Sequence, residues 1–513
     1  MKHYDIMIVG GGSAGWMTAA TLLKEFPHNK KIALIESPDI ETVGVGESTL
    51  GQIRYWTKWM GIKDEEFLPA TAGTYKLSIK FTDFYKKGES FHYPFGVPTT
   101  KETSNGLNDW WCKKALSPGT PVSDYVDCFY PQAHLLHSNK LTYNEHNQIE
   151  DWDFFKAGSA FHFDATKFGL WLKETFCLPV SSFSHFTEEI TQIDRTEDSG
   201  QISSLNNRYS ADLYIDCTGF KSLLLGKTLG VPFQEIPKTL LPNNSAWATK
   251  IPYTNKSEQL VNYTDCRAVE NGWIWTIPLW SRIGAGYVYS DQFIDSDTAL
   301  SQFQKYIGQT ELDFKQIRMR TGIHERLWEK NVVAIGLSSG FIEPLESTGL
   351  FTTHEFLREL IRELHRDRIS QWERDNFTYR CKDLFNKFVG FVALHFSLSH
   401  RNDSEYWKTI TEQSHMRNGE DHNPEYLRLA NARYIQHNYE NQLGGLHCIA
   451  AGMHLSPMEL SELTWLSYEK KEFFEKEWKT AITFLDDRKK KWEMSCRNSK
   501  KTINFLKEKI YGG

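Results

Sequence analysis

The chain has 513 residues, of which 59 are basic and 65 acidic, giving a formal net charge of −6. This balance argues against a nucleic-acid partner, because nucleic-acid-binding surfaces require clustered positive charge. Charged residues at 24% and hydrophobic residues at 40% are typical of a folded globular protein and exclude a disordered chain. Aromatic residues are unusually frequent at 14%, and composition leaves open whether they fill a core or line a pocket for a flat substrate.

The sequence also bears on the compartment. No apolar run is long enough to span a bilayer, and the N-terminus lacks the apolar core and cleavage site of a signal peptide. The eight cysteines are scattered without CxxC spacing, so we expect them to be reduced. These features predict a cytoplasmic protein without a membrane partner, and no residues have the spacing of a metal site.

The first 36 residues have the pattern of a dinucleotide-binding unit. YDIMIV at 4–9 predicts a buried strand, GGGSAG at 10–15 a tight turn, WMTAATLLKEF a helix, and KIALI at 31–35 a second strand. Such a turn lets the backbone approach a pyrophosphate at the positive helix N-terminus, and an acid after the second strand binds a ribose. The predicted cofactor-binding residues are Gly10, Gly12, Ser13, Ala14, Gly15 and Glu36. No second motif follows, so we expect one bound dinucleotide, which this motif alone leaves as FAD or NAD.

Four further segments narrow the class of protein. They are GVGEST at 44–49, KLSIKF at 76–81, NGWIWTIP at 271–278 and GLSSGFIEPLESTG at 336–349. Together they resemble the flavin-dependent halogenases of the tryptophan-halogenase type. The WxWxIP signature of that family is formed here by Trp273, Trp275, Ile277 and Pro278. Lesser similarities are AFHFDATKF at 160–168, DCTGF at 216–220 and HFSLSHRNDSEYW at 395–407, so the resemblance runs from residue 5 to at least 407.

The resemblance implies an α/β fold. We expect a Rossmann-like FAD-binding module of the flavin monooxygenase and halogenase kind, an inserted sheet-and-loop substrate region and a helical C-terminal part. We assign residues 1–90, 155–230 and 320–380 to the discontinuous FAD-binding module, 91–154 and 231–319 to the substrate side, and 381–513 to the helical part packed on that side. The helical pattern begins at about residue 354. Further FAD contacts are expected from Gly46, Glu47, Ser48 and Gly336.

The resemblance also implies the chemistry. A separate flavin reductase supplies reduced FAD (FADH2), and oxygen and a halide such as chloride or bromide then give hypohalous acid. By similarity, Lys76 meets the hypohalous acid, Glu346 assists near the substrate, and Thr348 and Gly349 hold the halide, with Ser347 in the same segment. The residue types suit these roles. A buried Lys is a compact cationic donor, a carboxylate can take the proton that the arene loses, and halide binds backbone N–H groups.

The substrate region departs from the enzymes of this family that take free tryptophan. Those enzymes carry a His-x-Phe element, and FHYPFG at 91–96 places Tyr93 at the His position and Phe95 at the Phe position. They also carry an aromatic segment near the C-terminus that recognises the amino acid, where this chain has NYENQLGGLHCIAAG at 438–452. The sequence therefore predicts an electron-rich aromatic substrate of the indole or phenol type rather than free tryptophan, with Tyr93, Phe95 and Ser347 on the substrate side.

One alternative function stays open. A flavin monooxygenase or reductase would act on an aromatic or isoprenoid substrate beside the flavin. Lys76 together with WxWxIP favours halogenation, whereas Lys80, four residues further on, is given no chemical role. The sequence decides neither the halide nor whether the protein is a homo-oligomer.

Overall fold

The computed structural model of the chain describes residues 1–27, 30–38, 46–100, 108–412, 445–455 and 460–512. Within these ranges no helix combines the length and apolar character needed to cross a membrane. All eight cysteines lie in the same ranges, and each is buried and free of disulfide bonds, as their spacing predicts.

An eight-stranded sheet carries the predicted dinucleotide unit. Its strands are β1 (Lys2–Val9), β2 (Ile32–Glu36), β9 (Phe183–Thr187), β10 (Ile193–Arg195), β11 (Ile202–Leu205), β12 (Tyr209–Asp216), β20 (Trp328–Glu329) and β21 (Val332–Ala334). They run in the order β10-β11-β12-β1-β2-β9, with β21 paired to β12 and β20 to β21. Because β12, β1, β2, β9 and β21 are parallel, their carboxyl ends meet at one edge. Open α/β sheets bind their ligands at this edge.

The first strand is apolar because both of its faces are buried. Ile6 and Ile8 contribute to one hydrophobic core cluster, and Met7 and Val9 contribute to another. Helix α1 (Ser13–Glu25) begins directly after the glycine turn. The strand, turn, helix and second strand therefore occur in the predicted order and within three residues of the predicted bounds.

A seven-stranded sheet contains the WxWxIP segment. Its strands are β5 (Ser78–Thr82), β6 (Ser90–Pro94), β14 (Ser245–Ile251), β15 (Tyr263–Val269), β16 (Gly272–Pro278), β17 (Ile283–Tyr289) and β18 (Lys315–Arg318). The order is β18-β14-β17-β16-β15-β5-β6, and every pair is antiparallel except β15 with β5. The WxWxIP strand β16 is thus one strand removed from β5.

Three small sheets complete the described strands. The first contains β3 (Glu47–Ser48), β8 (Ala160–Phe163) and β4 (Thr74–Lys76). The others join β13 (Phe233–Glu235), β19 (Gly322–His324) and β22 (Gly340–Phe341), and β7 (Lys140–Leu141) with β23 (Lys500–Lys501). Strand β4 leads into β5 after one residue, so Lys76 lies where the first small sheet meets the seven-stranded sheet.

The remaining described α-helices are distributed along the chain from residue 53 to residue 509. They are α2 (Ile53–Met60), α3 (Asp64–Thr71), α4 (Asn108–Leu116), α5 (Asp124–Phe129), α6 (Ala133–His137), α7 (Ala165–Leu172), α8 (Lys256–Gln259), α9 (Ser296–Ile307), α10 (Thr348–Leu364), α11 (Gln371–Ser397), α12 (Glu405–Glu412), α13 (Leu446–Gly452), α14 (Leu460–Cys496) and α15 (Thr502–Lys509).

Two features differ from the sequence prediction. The C-terminal helical pattern begins at Thr348 rather than at about residue 354. The segment STGLFTT contains Gly and β-branched Thr, which are weak helix formers, and so it conceals the start of the helix. The segment 91–154 contains α4, α5 and α6 in addition to strand and loop. The assignment of the chain to three parts stays a prediction.

Candidate active site

The glycine turn between β1 and α1 leaves room for a phosphate group. Gly12 precedes α1 and, having no side chain, does not cap the first turn of the helix. A Cβ atom on Gly12 would meet no described atom within 4 Å, whereas one on Gly15 would lie 1.9 Å from the carbonyl oxygen of Gly10. Gly15 therefore packs the helix closely on the turn, and Gly12 faces open space at the positive end of the helix.

Gly336 joins this turn from a distant part of the chain. It follows β21, and a Cβ atom on it would lie 2.6 Å from the Cβ atom of Ala14. Its φ of +73° is also one that glycine adopts without strain. Ser13, beside Ala14, donates a hydrogen bond from Oγ to the carbonyl oxygen of Ala165 at 3.2 Å. The structure thus brings Ser13, Ala14 and Gly336 together.

Glu36 ends β2 beside the same turn. One carboxylate oxygen lies 2.8 Å from Nε2 of His185 and 3.3 Å from Nζ of Lys173. The other lies only 1.6 Å from where a Cβ atom on Gly11 would be, so the carboxylate covers the turn. An open helix N-terminus and an acid at the end of the second strand fit the pyrophosphate and ribose of FAD.

Glu47 and Ser48, two of the predicted cofactor-binding residues, form the short strand β3. Glu47 is partly exposed, yet the surrounding protein desolvates its carboxyl group and raises its pKa to about 7. Ser48 is buried, and its Oγ accepts a hydrogen bond from Oγ of Ser347 at 3.2 Å. The sequence assigned Ser48 to the cofactor, and the structure directs its hydroxyl group to the segment that follows Glu346.

Lys76 ends β4, and its side chain is fully buried. Its Nζ donates hydrogen bonds to the carbonyl oxygen of Thr49 at 2.9 Å and to Oγ of Ser347 at 3.0 Å. Burial lowers the pKa of this amine from 10.5 to about 7, although the nearby Cys266 and Glu346 act in the opposite direction. Near neutral pH both the ammonium and the free amine are therefore accessible.

Glu346 lies in a single 3₁₀ turn before α10 and is also fully buried. Its Oε1 lies 3.0 Å from Nε2 of His395 in α11, which is an ion-pair distance between two buried groups. Neither carboxylate oxygen has a hydrogen bond of good geometry from a described residue, so both retain capacity for another partner. Burial raises the pKa of this carboxyl group, and His395 and Lys76 oppose the rise.

The segment after Glu346 forms an uncapped helix N-terminus. Ser347 has a left-handed backbone with φ of +56°, and α10 begins at the next residue. The Ser347 side chain makes no cap hydrogen bond, so the N–H groups of Thr348 and Gly349 lie at the positive end of a helix of 17 residues. A Cβ atom on Gly349 would meet no described atom within 4 Å. This geometry suits a small anion such as a halide.

The two tryptophans of WxWxIP lie on one face of β16. The ring centroids of Trp273 and Trp275 are 6.0 Å apart, as expected for residues two apart in a strand. Ile277 lies beside the predicted flavin segment, because a Cβ atom on Gly46 would be 3.7 Å from its Cγ2. The carbonyl oxygen of Pro278 accepts a hydrogen bond from Thr74, two residues before Lys76.

Sequence reasoning did not single out Glu343, the other acid of the segment EPLES. It is fully buried and accepts hydrogen bonds from Nε1 of Trp273 and from Nδ2 of Asn243. Asn243 in turn accepts a hydrogen bond from the hydroxyl group of Tyr406 at 3.1 Å. Burial raises the pKa of Glu343 to about 7. Glu343 therefore ties the WxWxIP strand to the segment that carries Glu346.

Tyr93 and Phe95 are buried aromatic residues near Lys76. Their ring centroids are 5.9 Å apart in an edge-to-face arrangement, and Tyr93 also packs edge-on against Phe391. The centroid of Phe95 lies 4.9 Å from Nζ of Lys76. Tyr93 and Ile79 are paired across the sheet. Lys80, the residue after Ile79, therefore lies on the face of the sheet opposite to Tyr93.

Three polar residues near the predicted pair were also missed. His395 contacts Glu346, and His162 and Thr264 are linked to Lys76 through buried hydroxyl groups. The two histidines lie in AFHFDATKF and HFSLSHRNDSEYW, segments that share the family resemblance. A polar residue between apolar neighbours in such a segment was the signal that could have found these two histidines.

The dinucleotide unit, the buried lysine and the open helix N-terminus beside it define a flavin-dependent halogenase. The chain matches the family model described as tryptophan halogenase over residues 5–469 and belongs to this family. It is 35% identical over 437 residues to tryptophan 6-halogenase SttH of Streptomyces toxytricini, covering 79% of this chain and 80% of that protein. It is 30% identical over 432 residues to tryptophan 7-halogenase RebH of Lentzea aerocolonigenes, covering 80% and 79%.

Solved structures agree with this assignment. The apo structure of VirX1 aligns with a TM-score of 0.88 and 36% identity over 99% of both chains. Xcc4156, a flavin-dependent halogenase from Xanthomonas campestris, aligns with a TM-score of 0.83 and 25% identity over 99% of this chain and 98% of that one. The predicted class, fold and cofactor are confirmed. The protein is an oxidoreductase that uses FADH2 from a separate reductase, halide and oxygen.

Proposed function

We propose that this halogenase halogenates an electron-rich aromatic of the indole or phenol type, with Lys76 and Glu346 as its catalytic residues. The observation that carries the proposal is that both side chains are buried at one site. Nζ of Lys76 donates a hydrogen bond there to Oγ of Ser347, the residue after Glu346. Bound FADH2, with oxygen and halide, supplies the hypohalous acid. The residues of the chain then direct the halogen to the arene.

Lys76 meets the hypohalous acid in one of two forms. As an ammonium it donates an N–H to the hypohalous oxygen, which makes the halogen more electrophilic. As a free amine it attacks the halogen, so that an N–halogen bond forms, the O–halogen bond breaks, and the hydroxide leaves with an amine proton as water. A pKa of about 7 makes both forms accessible at neutral pH.

Glu346 is proposed to act on the arene. When the carbon–halogen bond forms, the ring carbon still carries its hydrogen, and aromaticity returns when that proton leaves. The Glu346 carboxylate has unused hydrogen-bonding capacity and a raised pKa, so it is suited to take this proton. An acid of this kind near the substrate also orients the reacting ring.

The remaining predicted residues are proposed to bind the cofactor and halide. Thr348 and Gly349 would hold the halide through the uncapped N–H groups of α10. The FAD-binding residues are proposed to be Gly10, Gly12, Ser13, Ala14, Gly15, Glu36, Gly46, Glu47, Ser48 and Gly336. We also propose that 1–90, 155–230 and 320–380 form the flavin module, because strands β1, β2, β9, β12 and β21 share one sheet.

The proposed substrate lacks a free amino-acid group. The residues at the family's His-x-Phe positions are Tyr93 and Phe95, and Tyr93 is packed between aromatic rings. A Cβ atom on Gly445 would lie 2.6 Å from the ring of Tyr93, so the chain just before α13 presses directly on this aromatic pair. Of the predicted segment 438–452, residues 438–444 lie outside the described residues. The apolar surroundings of Tyr93 and Phe95 therefore support a substrate without an amino-acid group.

Free tryptophan is the second candidate substrate. The observation that favours it is the identity to SttH and RebH, which are named as tryptophan halogenases. The test supplies the purified enzyme with a flavin reductase, FAD, oxygen and each halide, and compares indole, phenols and free tryptophan. We expect halogen mass on indole or phenol at a higher kcat/KM than on tryptophan. A regioselective chlorotryptophan formed at the highest kcat/KM of the panel would overturn the proposed substrate.

A further inference from the structure

A continuous chain of hydrogen bonds leads from Lys76 to His162 through buried hydroxyl groups. Ser347 accepts from Nζ of Lys76 at 3.0 Å and donates to Oγ of Ser48 at 3.2 Å. The hydroxyl oxygens of Ser48 and Thr264 are 2.7 Å apart, and that of Thr264 lies 2.8 Å from Nε2 of His162. All five side chains are buried. They come from β3, β4, β8, β15 and the residue before α10.

The far end of this chain fixes its direction. The hydroxyl group of Thr74 donates to the carbonyl oxygen of Pro278 at 2.7 Å, since a carbonyl oxygen can only accept. The single hydroxyl proton of Thr74 is then used, so Nδ1 of His162, 3.2 Å away, must be the donor between these two residues. Burial and the nearby Lys76 lower the pKa of His162 well below 6.5. The ring is therefore neutral, and Nε2 accepts from Thr264.

This direction determines what Lys76 can do. Each hydroxyl group between His162 and Lys76 has one proton, and that proton points away from Lys76. Ser347 can therefore only accept from Nζ of Lys76, and the carbonyl oxygen of Thr49 can also only accept. Two positions on the nitrogen are thus fixed as N–H donors. The remaining tetrahedral position is an N–H of the ammonium or the lone pair of the amine.

We propose that His162 and Thr264 are positioning residues that direct this remaining position of Lys76 towards the hypohalous acid. The inference rests on the proposed function, which makes Lys76 the group that meets the hypohalous acid. Without the Thr264 hydroxyl, Ser48 and Ser347 can rotate, and Ser347 can donate to the amine lone pair. The reactive position would then be blocked, although neither His162 nor Thr264 takes part in the reaction.

The test removes one hydroxyl group in the middle of the chain. Thr264→Val removes the hydroxyl group and breaks the chain of hydrogen bonds at nearly constant side-chain volume. Thr264→Ser keeps the hydroxyl group. Thr71→Val is the matched control, because Thr71 is equally buried but its hydroxyl donates to the helix carbonyl of Phe67. Bromination of indole is measured with saturating reduced FAD, and escaping hypobromous acid is trapped by taurine.

Thr264→Val is expected to lower kcat at least about tenfold with an unchanged KM for indole, since misplacing a reacting group lowers the rate without removing binding. Oxidation of reduced FAD should continue at the wild-type rate, and more hypobromous acid should reach taurine. Thr264→Ser and Thr71→Val should behave as wild type. A wild-type kcat in Thr264→Val, or a loss that Thr264→Ser does not rescue, would overturn the inference.

A second readout needs no flavin. In protein labelled with ¹⁵N-histidine, the signal that disappears in His162→Gln belongs to His162. It should report the neutral ring protonated on Nδ1 throughout the physiological pH range, and an imidazolium or an Nε2–H ring would overturn the proposed direction of the chain. Lys76→Ala separates the two claims. If Lys76→Ala retains bromination, the proposed function is overturned. If Lys76→Ala loses bromination while Thr264→Val brominates as wild type, only this inference is overturned.

Discussion

Nζ of Lys76 donates a hydrogen bond to Oγ of Ser347 at 3.0 Å, although 271 residues separate them in the chain. Ser347 directly follows Glu346, so this bond joins the strand that carries the lysine to the turn that carries the acid. The side chains of Lys76 and Glu346 are both fully buried. Neither carboxylate oxygen of Glu346 accepts a hydrogen bond of good geometry from the described residues. Such an arrangement costs stability and is characteristic of functional sites.

Replacing Lys76 by Met is therefore expected to stabilise the fold while abolishing halogenation. Folding lowers the pKa of Lys76 from 10.5 to about 7. Burying the charged amine therefore destabilises the fold by its full amount below pH 7, and this destabilisation decreases as the pH rises towards 10.5. Urea unfolding at neutral pH should give a higher free energy of unfolding for Lys76→Met, and the difference should shrink in alkaline buffer. Lys80→Met, on a partly exposed neighbour, is the control and should change stability little. A Lys76→Met protein less stable than wild type at neutral pH would contradict this prediction.

The pH dependence of halogenation distinguishes the two forms of Lys76. If the ammonium donates to hypohalous acid, the rate should fall as the pH rises through about 7, where the amine loses its proton. On the acid side the rate should fall because Glu346, whose pKa is raised, becomes protonated. We expect this bell shape in single-turnover halogenation with preformed reduced FAD. A rate that rises through pH 7 and stays high would assign the reaction to the free amine.

Glu346→Gln should slow halogenation by about 10²-fold or more, the typical effect of losing acid–base assistance. The amide keeps the size of the side chain but cannot take a proton from the arene. Glu343→Gln is the matched control, because Glu343 is an equally buried acid three residues earlier that bonds Trp273. Product formation is followed by mass spectrometry under identical flavin supply. Equal rates in wild type and Glu346→Gln would leave Glu346 with a structural role only.

Gly12→Ala should weaken FAD binding at least about tenfold, which corresponds to about 1.4 kcal/mol. The added methyl group would occupy the space that is open in front of α1, where we expect the pyrophosphate. Gly119→Ala is the control, since its added methyl group also meets no described atom within 4 Å but lies far from the predicted motif in the chain. Titration of the protein with FAD by fluorescence gives both affinities. Unchanged affinity in Gly12→Ala would place the pyrophosphate elsewhere.

Asp64→Asn should destabilise the fold by about 3–5 kcal/mol, the cost of leaving a buried charge without its partner. Arg54 donates to both oxygens of Asp64, at 2.9 and 2.7 Å, and both side chains are buried. Tyr75, which precedes Lys76, also donates to Asp64 at 2.8 Å. Glu66→Gln, in an exposed ion pair, should cost less than about 1 kcal/mol. Denaturant unfolding measures both, and equal small effects would contradict the prediction.

The sequence predicts most reliably what is local. The first strand, the glycine turn, α1 and β2 follow one another within 36 residues, and their apolar patterns and glycine spacing require no distant contact. The segment around Glu346 is also recognisable because Thr348 and Gly349 continue the same motif. The start of α10 is less evident, because its first residues are weak helix formers whose structure depends on the turn before them.

The network around Lys76 depends on tertiary contacts. Thr264 and His162 are 102 residues apart and lie on different strands. Only the pairing of β8 with β3 and β4, and of β15 with β5, brings them to Lys76. The contact between His395 and Glu346 likewise depends on how α11 packs. No periodicity or spacing encodes such contacts.

The most direct test compares the products of wild type and Lys76→Ala with the same reductase, halide, oxygen and aromatic probe. Wild type is expected to add halogen mass to the probe. Lys76→Ala is expected to oxidise reduced FAD at the wild-type rate and to release hypohalous acid, but to form no halogenated product above the background from free hypohalous acid. Enzyme-directed halogenation by Lys76→Ala at the wild-type rate and regioselectivity would contradict the assignment of Lys76.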